Sequence, residues 1–94
     1  MILPISLIIP HQNQKTELAI LLESLNTWTM LPSEIVIIDS SDVWIEFQED
    51  FLSLCDKENV SLELIQERLI FPGHARNLGI KSSKNDLMAF LDVK

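Results

Sequence analysis

The chain has 94 residues, 47% of them hydrophobic and only two of them glycine, so it is one folded domain at most and near the smallest size that builds its own core. Fourteen acidic residues against seven basic give a formal net charge of −7, which leaves no cationic surface for a nucleic-acid backbone or an anionic membrane. A phosphate held by a few placed groups and a metal ion stays open. Cys55 is the only cysteine, so an intramolecular disulfide is excluded and a reducing compartment is the expectation.

The N-terminal stretch "MILPISLIIP" is apolar but lacks a basic segment and a small-residue cleavage site, and its apolar run is too short to span a bilayer. Within it Pro4–Pro10 predicts a strand buried on both faces, because its apolar character is nearly continuous. "KTELAILLESLNTW" changes period: Leu18, Leu21, Leu22, Leu25 and Trp28 fall at helical spacing, and Pro32 is expected to break that helix. Glu34–Asp39, "EIVIID", is the clearest strand, ending in an acid. "SSD" follows as a turn and expected N-cap of a second helix, in which Trp44, Phe47, Phe51, Leu54 and Cys55 share the helical spacing. Cys55 on that apolar side reads as a small buried hydrophobe. Val60–Ile65 alternates and predicts an edge strand. "FPGHARNLGIKSS" predicts a short third helix entered through Pro72 and Gly73, and "DLMAFLDV" a fourth, apolar strand.

This β-α-β-α-β-α-β order implies an α/β fold: a three-layer parallel sheet with helices on both faces. The expected strand order is 3-2-1-4, with "ISLII" and "EIVII" central. Ligands then belong at the carboxyl ends of the strands, where the polar segments "PHQN", "DSSD" and "DVK" fall. Asp39 leaves its strand there, either to accept from a ligand's hydroxyl groups or to act as a turn former or helix cap. Arg76 and Asn77 are expected in the first turn of the third helix, where free N–H groups and the helix dipole favour an anion; pairing of Arg76 to a nearby acid and hydrogen bonding of Asn77 to the strand loops are the structural alternatives. His74 has no partner at metal-ligand spacing and reads as a surface or capping histidine.

Four collinear stretches, "ISLIIPHQNQ", "LLESLNTWTMLPSEIVIIDSSD", "GHARNLGI" and "LMAFLD", resemble the successive motifs of the family 2 glycosyltransferases with the GT-A fold, over essentially the whole chain. The resemblance implies a Rossmann-like donor half and a nucleotide-sugar donor as ligand. By the same resemblance Pro10, His11, Asn13, Asp39, Arg76 and Asn77 make the nucleotide site, and Asp92 belongs to an acid pair holding Mn²⁺ or Mg²⁺ on the diphosphate. Two positions depart from the family's pattern: Lys94 stands where the second acid would be, and Ser40 where many members carry a second aspartate. Members of the family run well beyond this strand and carry their acceptor site and catalytic base there, so the expectation is a piece of a longer enzyme, inactive alone, rather than a short natural protein. It is expected in the cytoplasm, with membrane association a property of the longer protein.

Other classes are weighed against this one. A flavodoxin-like or receiver-type module fits the alternation, but a receiver needs an acidic cluster after its first strand and "IIPHQN" has none. A dinucleotide-binding Rossmann fold needs a glycine-rich first turn, which is absent. A non-catalytic interaction module remains the alternative. With order 3-2-1-4 the apolar fourth strand becomes an edge without charge, proline or bulge before Asp92, so a homo-oligomer formed through that strand is expected.

Overall fold

The computed structural model describes residues 2–68 and 72–93. Strand β1 (Ile2–His11) leads into helix α1 (Lys15–Ser24), which tightens into a single 3₁₀ turn at Leu25–Thr27. Strand β2 (Leu31–Asp39), helix α2 (Glu49–Lys57), strand β3 (Ser61–Gln66), helix α3 (Pro72–Ser82) and strand β4 (Leu87–Phe90) follow. The sheet has the order β3-β2-β1-β4 with every neighbouring pair parallel, as the alternation of strands and helices requires.

The two central strands bury both faces, and their period of two divides the core. Leu7 and Ile9 of β1 with Ile35 and Ile37 of β2 face α1 and α2, where Leu18, Leu22, Leu25, Phe51 and Cys55 complete one cluster. Ile8, Val36 and Ile38 face the other way, onto Ala75 and Leu78 of α3. Side chains at Ile8, Ile9, Val36 and Ile37 are fully buried. Each such side chain contributes on the order of 1.5–3 kcal/mol of transfer free energy. Gly79 explains how closely α3 approaches: a Cβ there would collide with Ile8 Cγ2 and stand 3.1 Å from Ile38 Cδ1.

The amino-terminal end of the sheet is closed by a polar network. Glu34, 1% exposed, accepts from Ser6 Oγ at 2.7 Å and from the backbone N–H of Lys84 at 2.9 Å, both at Oε1. Asn85 Nδ2 donates to Ser6 Oγ at 3.0 Å and to Ser33 Oγ at 2.9 Å. These bonds fasten the α3–β4 connection beneath β1 and β2. Nearby, two residues of β1, Pro4 and Ile5, stand against the single Ser33 of β2, a bulge that tolerates a proline in a central strand.

Several boundaries differ from those read in the sequence. Pro32 does not end the first helix; α1 and its 3₁₀ turn finish at Thr27, and Pro32 lies buried inside β2, which begins at Leu31. "SSD" does not cap α2. That helix starts at Glu49 after Gln48, and Trp44 and Phe47 precede it in the connecting loop, where Phe47 packs against the core without being helical. Arg76 and Asn77 lie in the second turn of α3, since the helix begins at Pro72. Their N–H groups are therefore not among the free first-turn donors, and the anion-binding argument from helix polarity does not apply to them. Strand β4 holds only four residues in the ladder, and it is the sheet's edge as expected: Leu87 is 63% exposed and Phe90 42%. Lys94 lies outside the described residues. No described helix is long and apolar enough to cross a membrane.

Candidate functional site

At the carboxyl end of the sheet the loops after β1, β2 and β3 are tied together by polar side chains. The centre is Asp39, the last residue of β2 and fully buried. Its Oδ1 accepts the backbone N–H of Ser41 and lies 3.1 Å from Nδ1 of the buried His11; its Oδ2 accepts the N–H of Ile45 at 3.1 Å. Burial alone would push the Asp39 carboxyl up, but hydrogen bonds from Ser41, Ile45 and His11 outweigh it and hold the group below its ordinary range.

The tautomer of His11 follows from its neighbours. The Gln14 N–H donates to Nε2 at 3.1 Å, so Nε2 carries the lone pair and Nδ1–H donates to Asp39. The imidazole thus links the start of α1 to the end of β2. Ser41 Oγ, 3.3 Å from the same Nδ1, accepts the Asn13 N–H at 2.8 Å.

Asn13 has a φ of 52°, a left-handed conformation that asparagine tolerates better than most side chains. That turn aims its amide at the next loop. Asn13 Oδ1 accepts the Asp42 N–H at 3.0 Å, and Nδ2 stands 3.4 Å from Asp42 Oδ2. Arg68, just past β3, closes the third loop: Nη1 donates to the Asp42 carbonyl at 2.8 Å and, more weakly, to that of Ser41 at 3.5 Å. Its Cζ lies 4.3 Å from the centroid of the Trp44 ring.

The sequence-derived candidates therefore divide into two groups. His11, Asn13 and Asp39 come together, with Pro10 half-buried in the strand beside them. Asp39 is not the isolated carboxylate expected of a strand end; its oxygens are occupied by protein donors. Arg76 joins a second group: its Nη2 stands 3.7 Å from Asp92 Oδ1, both side chains being about half exposed. Asn77 and His74 are exposed on α3. Ser41 and Asp42 read in the sequence as part of a polar turn and expected helix cap and Trp44 as a helix residue, none of them as a site residue by itself, and Arg68 was not singled out. The signal available for them was the polar turn after "EIVIID" and the rarity of cations in so acidic a chain.

Among the described residues no group of three or more His, Cys, Asp or Glu side chains converges as a metal site. Asp92, with Arg76 beside it, is a single carboxylate donor. The described residues thus do not make up a divalent-cation site of their own.

The family model of glycosyl transferase family 2 matches residues 6–93, which takes in both groups and all four strands. The chain belongs to this family. A similar relative is an uncharacterized glycosyltransferase of Haemophilus influenzae, 30% identical over an alignment of 100 residues that takes in 94% of this chain and 28% of the relative. Among solved structures, S. aureus TarS superposes with a TM-score of 0.67 at 24% identity, over 95% of this chain and 16% of that one. A second crystal structure, TarS 1-349, gives the same TM-score at 23% identity, with 27% of that chain covered. These two likenesses concern the fold: the parallel sheet and its flanking helices recur in both structures. The chain spans less than a third of the length of each of these relatives.

Proposed function

We propose that this chain supplies the nucleotide-sugar-binding part of a family 2 glycosyltransferase, holding the nucleoside diphosphate of the donor at the carboxyl end of the sheet. The observation that carries the proposal is the joining of the Pro10–Asn13 loop to the Ser41–Asp42 turn through Asn13, at the strand ends where ligands of open α/β sheets bind. Asp39 and His11 serve this site from beneath, by fixing the two loops, while Asn13 and Asp42 are exposed and available to polar groups of a nucleoside. Arg76 and Asp92 face the diphosphate side: the guanidinium supplies positive charge, and the carboxylate is the ligand this chain offers to a Mn²⁺ or Mg²⁺ carried in with the donor. The part proposed for these residues is donor binding, not proton transfer to or from an acceptor.

Backbone NMR during titration with UDP or GDP tests the proposal. Shifts at Asn13, Ser41, Asp42 and Arg76 are expected, with weak affinity. Shifts confined to other parts of the chain would overturn the assignment. The open edge at β4 supports self-association in the same protein, since Leu87 and Phe90 leave apolar surface beside an unpaired ladder edge. Sedimentation at micromolar concentration reads it directly; a monomer removes it.

A further inference from the structure

An exposed arginine normally samples many rotamers, yet the Arg68 guanidinium is held on two sides. The Arg68 Cζ sits over the Trp44 ring, 4.3 Å from its centroid, and Nη1 donates to the Asp42 and Ser41 carbonyls. Trp44 and Asp42 belong to the loop that Asn13 ties to the end of β1, so the guanidinium is fixed relative to the proposed nucleotide site. Arg68 itself remains exposed, with its Cζ over the Trp44 ring.

Two classes of group suit an immobilised guanidinium: a phosphate oxygen, or a flat π-system. The surroundings favour the second. Nη1 is already engaged by the Asp42 and Ser41 carbonyl oxygens, and the Asp42 carboxylate belongs to the same turn, in a chain of net charge −7. Those negative groups oppose a phosphate there and are indifferent to an uncharged ring. Resting on the reading of the site as a nucleotide pocket, we propose that the outer face of Arg68, backed by Trp44, is the stacking platform for the nucleobase of the donor, making Arg68 and Trp44 determinants of nucleoside binding.

Titration calorimetry with UDP, GDP, the parent nucleosides and inorganic diphosphate tests the platform on Arg68→Lys, which keeps the charge and removes the plane, and on Trp44→Phe, which keeps a ring beneath it. Stacking on one side-chain plane corresponds to a loss of roughly tenfold in nucleotide and nucleoside affinity for Arg68→Lys. Inorganic diphosphate is expected to bind that variant as it binds the wild type, and Trp44→Phe is expected to retain most nucleoside affinity. Unchanged nucleoside affinity in Arg68→Lys would overturn the platform while leaving the nucleotide site in place. An equal loss of diphosphate affinity would overturn it too, because Arg68 would then act on the phosphates or on the loop as a whole. Absence of binding of any nucleotide to the wild-type chain would overturn the site and the platform together.

Discussion

The two ends of this sheet each bury a carboxylate, and the two carboxylates are treated differently. At the amino end, Glu34 places Oε1 between two donors and leaves Oε2 buried with no partner among the described residues. At the carboxyl end, both oxygens of Asp39 are taken up, by donors from the end of β1 and from the loop after β2. The amino-end network fastens one connection, α3 to β4, to the central strands. The carboxyl-end network organises the loops after β1 and β2 around one group and leaves their outer polar atoms exposed. The contrast teaches where precision was required: the amino end has only to be closed, whereas the carboxyl end has to hold loops in a set arrangement beside solvent.

The largest expected effect follows from this. Asp39→Ala strands the N–H groups of Ser41 and Ile45 and the His11 ring donor in a buried setting. At about 1–3 kcal/mol for each unsatisfied donor, the total is on the order of 3 kcal/mol or more. Urea unfolding measures it, and a loss under about 1 kcal/mol would mean the loops are held by something else. Acid unfolding checks the same group by its charge. Because the folded state holds the Asp39 carboxyl below its ordinary range, it favours the ionised form. The associated stability is complete above the unfolded-state value of about 3.9 and is lost as pH falls through the lower, folded-state value. Stability of the wild type should therefore decline below about pH 4, and Asp39→Asn should flatten that decline.

Glu34→Ala ranks next. It releases the Ser6 hydroxyl and the Lys84 N–H but also removes an oxygen that had no partner, so the net loss is about 1–3 kcal/mol and smaller than at Asp39. Glu34→Gln preserves Oε1 as an acceptor and should cost less than the alanine variant. Equal losses from Glu34→Ala and Asp39→Ala in the same unfolding series would erase the difference between the two ends.

Much of this architecture was legible in the sequence, for a physical reason. Strands β1 and β2 are buried on both faces, so they appear as unbroken apolar runs, and the strand order follows from them once right-handed crossovers are assumed. What escaped was set by tertiary context. Phe47 falls at helical spacing with Phe51 and Leu54 because it packs on the same core as α2, although its backbone is not helical. Pro32 suggests a break but sits comfortably at the start of a strand. At the site, the position of Asp39 was legible and its function as a hub was not, since its partners Ser41 and Ile45 reach it through backbone N–H groups that no side-chain pattern records. Arg68 reaches the site only because β3 lies beside β2, a neighbour relation that no local motif announces.

Gly79→Ala probes the layer between the two ends. The added methyl would run into Ile8, which is fully buried and fixed by the sheet, so α3 has to shift. Overpacking of this kind costs about 1–3 kcal/mol, offset by about 1 kcal/mol because alanine is the better helix former. A net loss of up to about 2 kcal/mol in thermal unfolding is expected. A stabilised variant would show that α3 is free to move away from the sheet.

The smallest effect on stability, and the sharpest separation of fold from function, belongs to Asp92. Its contact with Arg76 is long at 3.7 Å, and both side chains are about half exposed, so water screens the pair. Exposed ion pairs of this kind contribute about 0–1 kcal/mol. Asp92→Asn should therefore leave the unfolding midpoint almost where it was, in contrast to the buried carboxylates at Asp39 and Glu34. If the carboxyl end is arranged for a donor diphosphate, the same substitution in a nucleotide titration run with Mg²⁺ should weaken UDP or GDP binding several-fold, while uridine or guanosine binding stays unchanged. A drop in stability as large as that of Glu34→Ala would make Asp92 a structural residue, and equal weakening for nucleoside and nucleotide would remove it from the diphosphate side of the site.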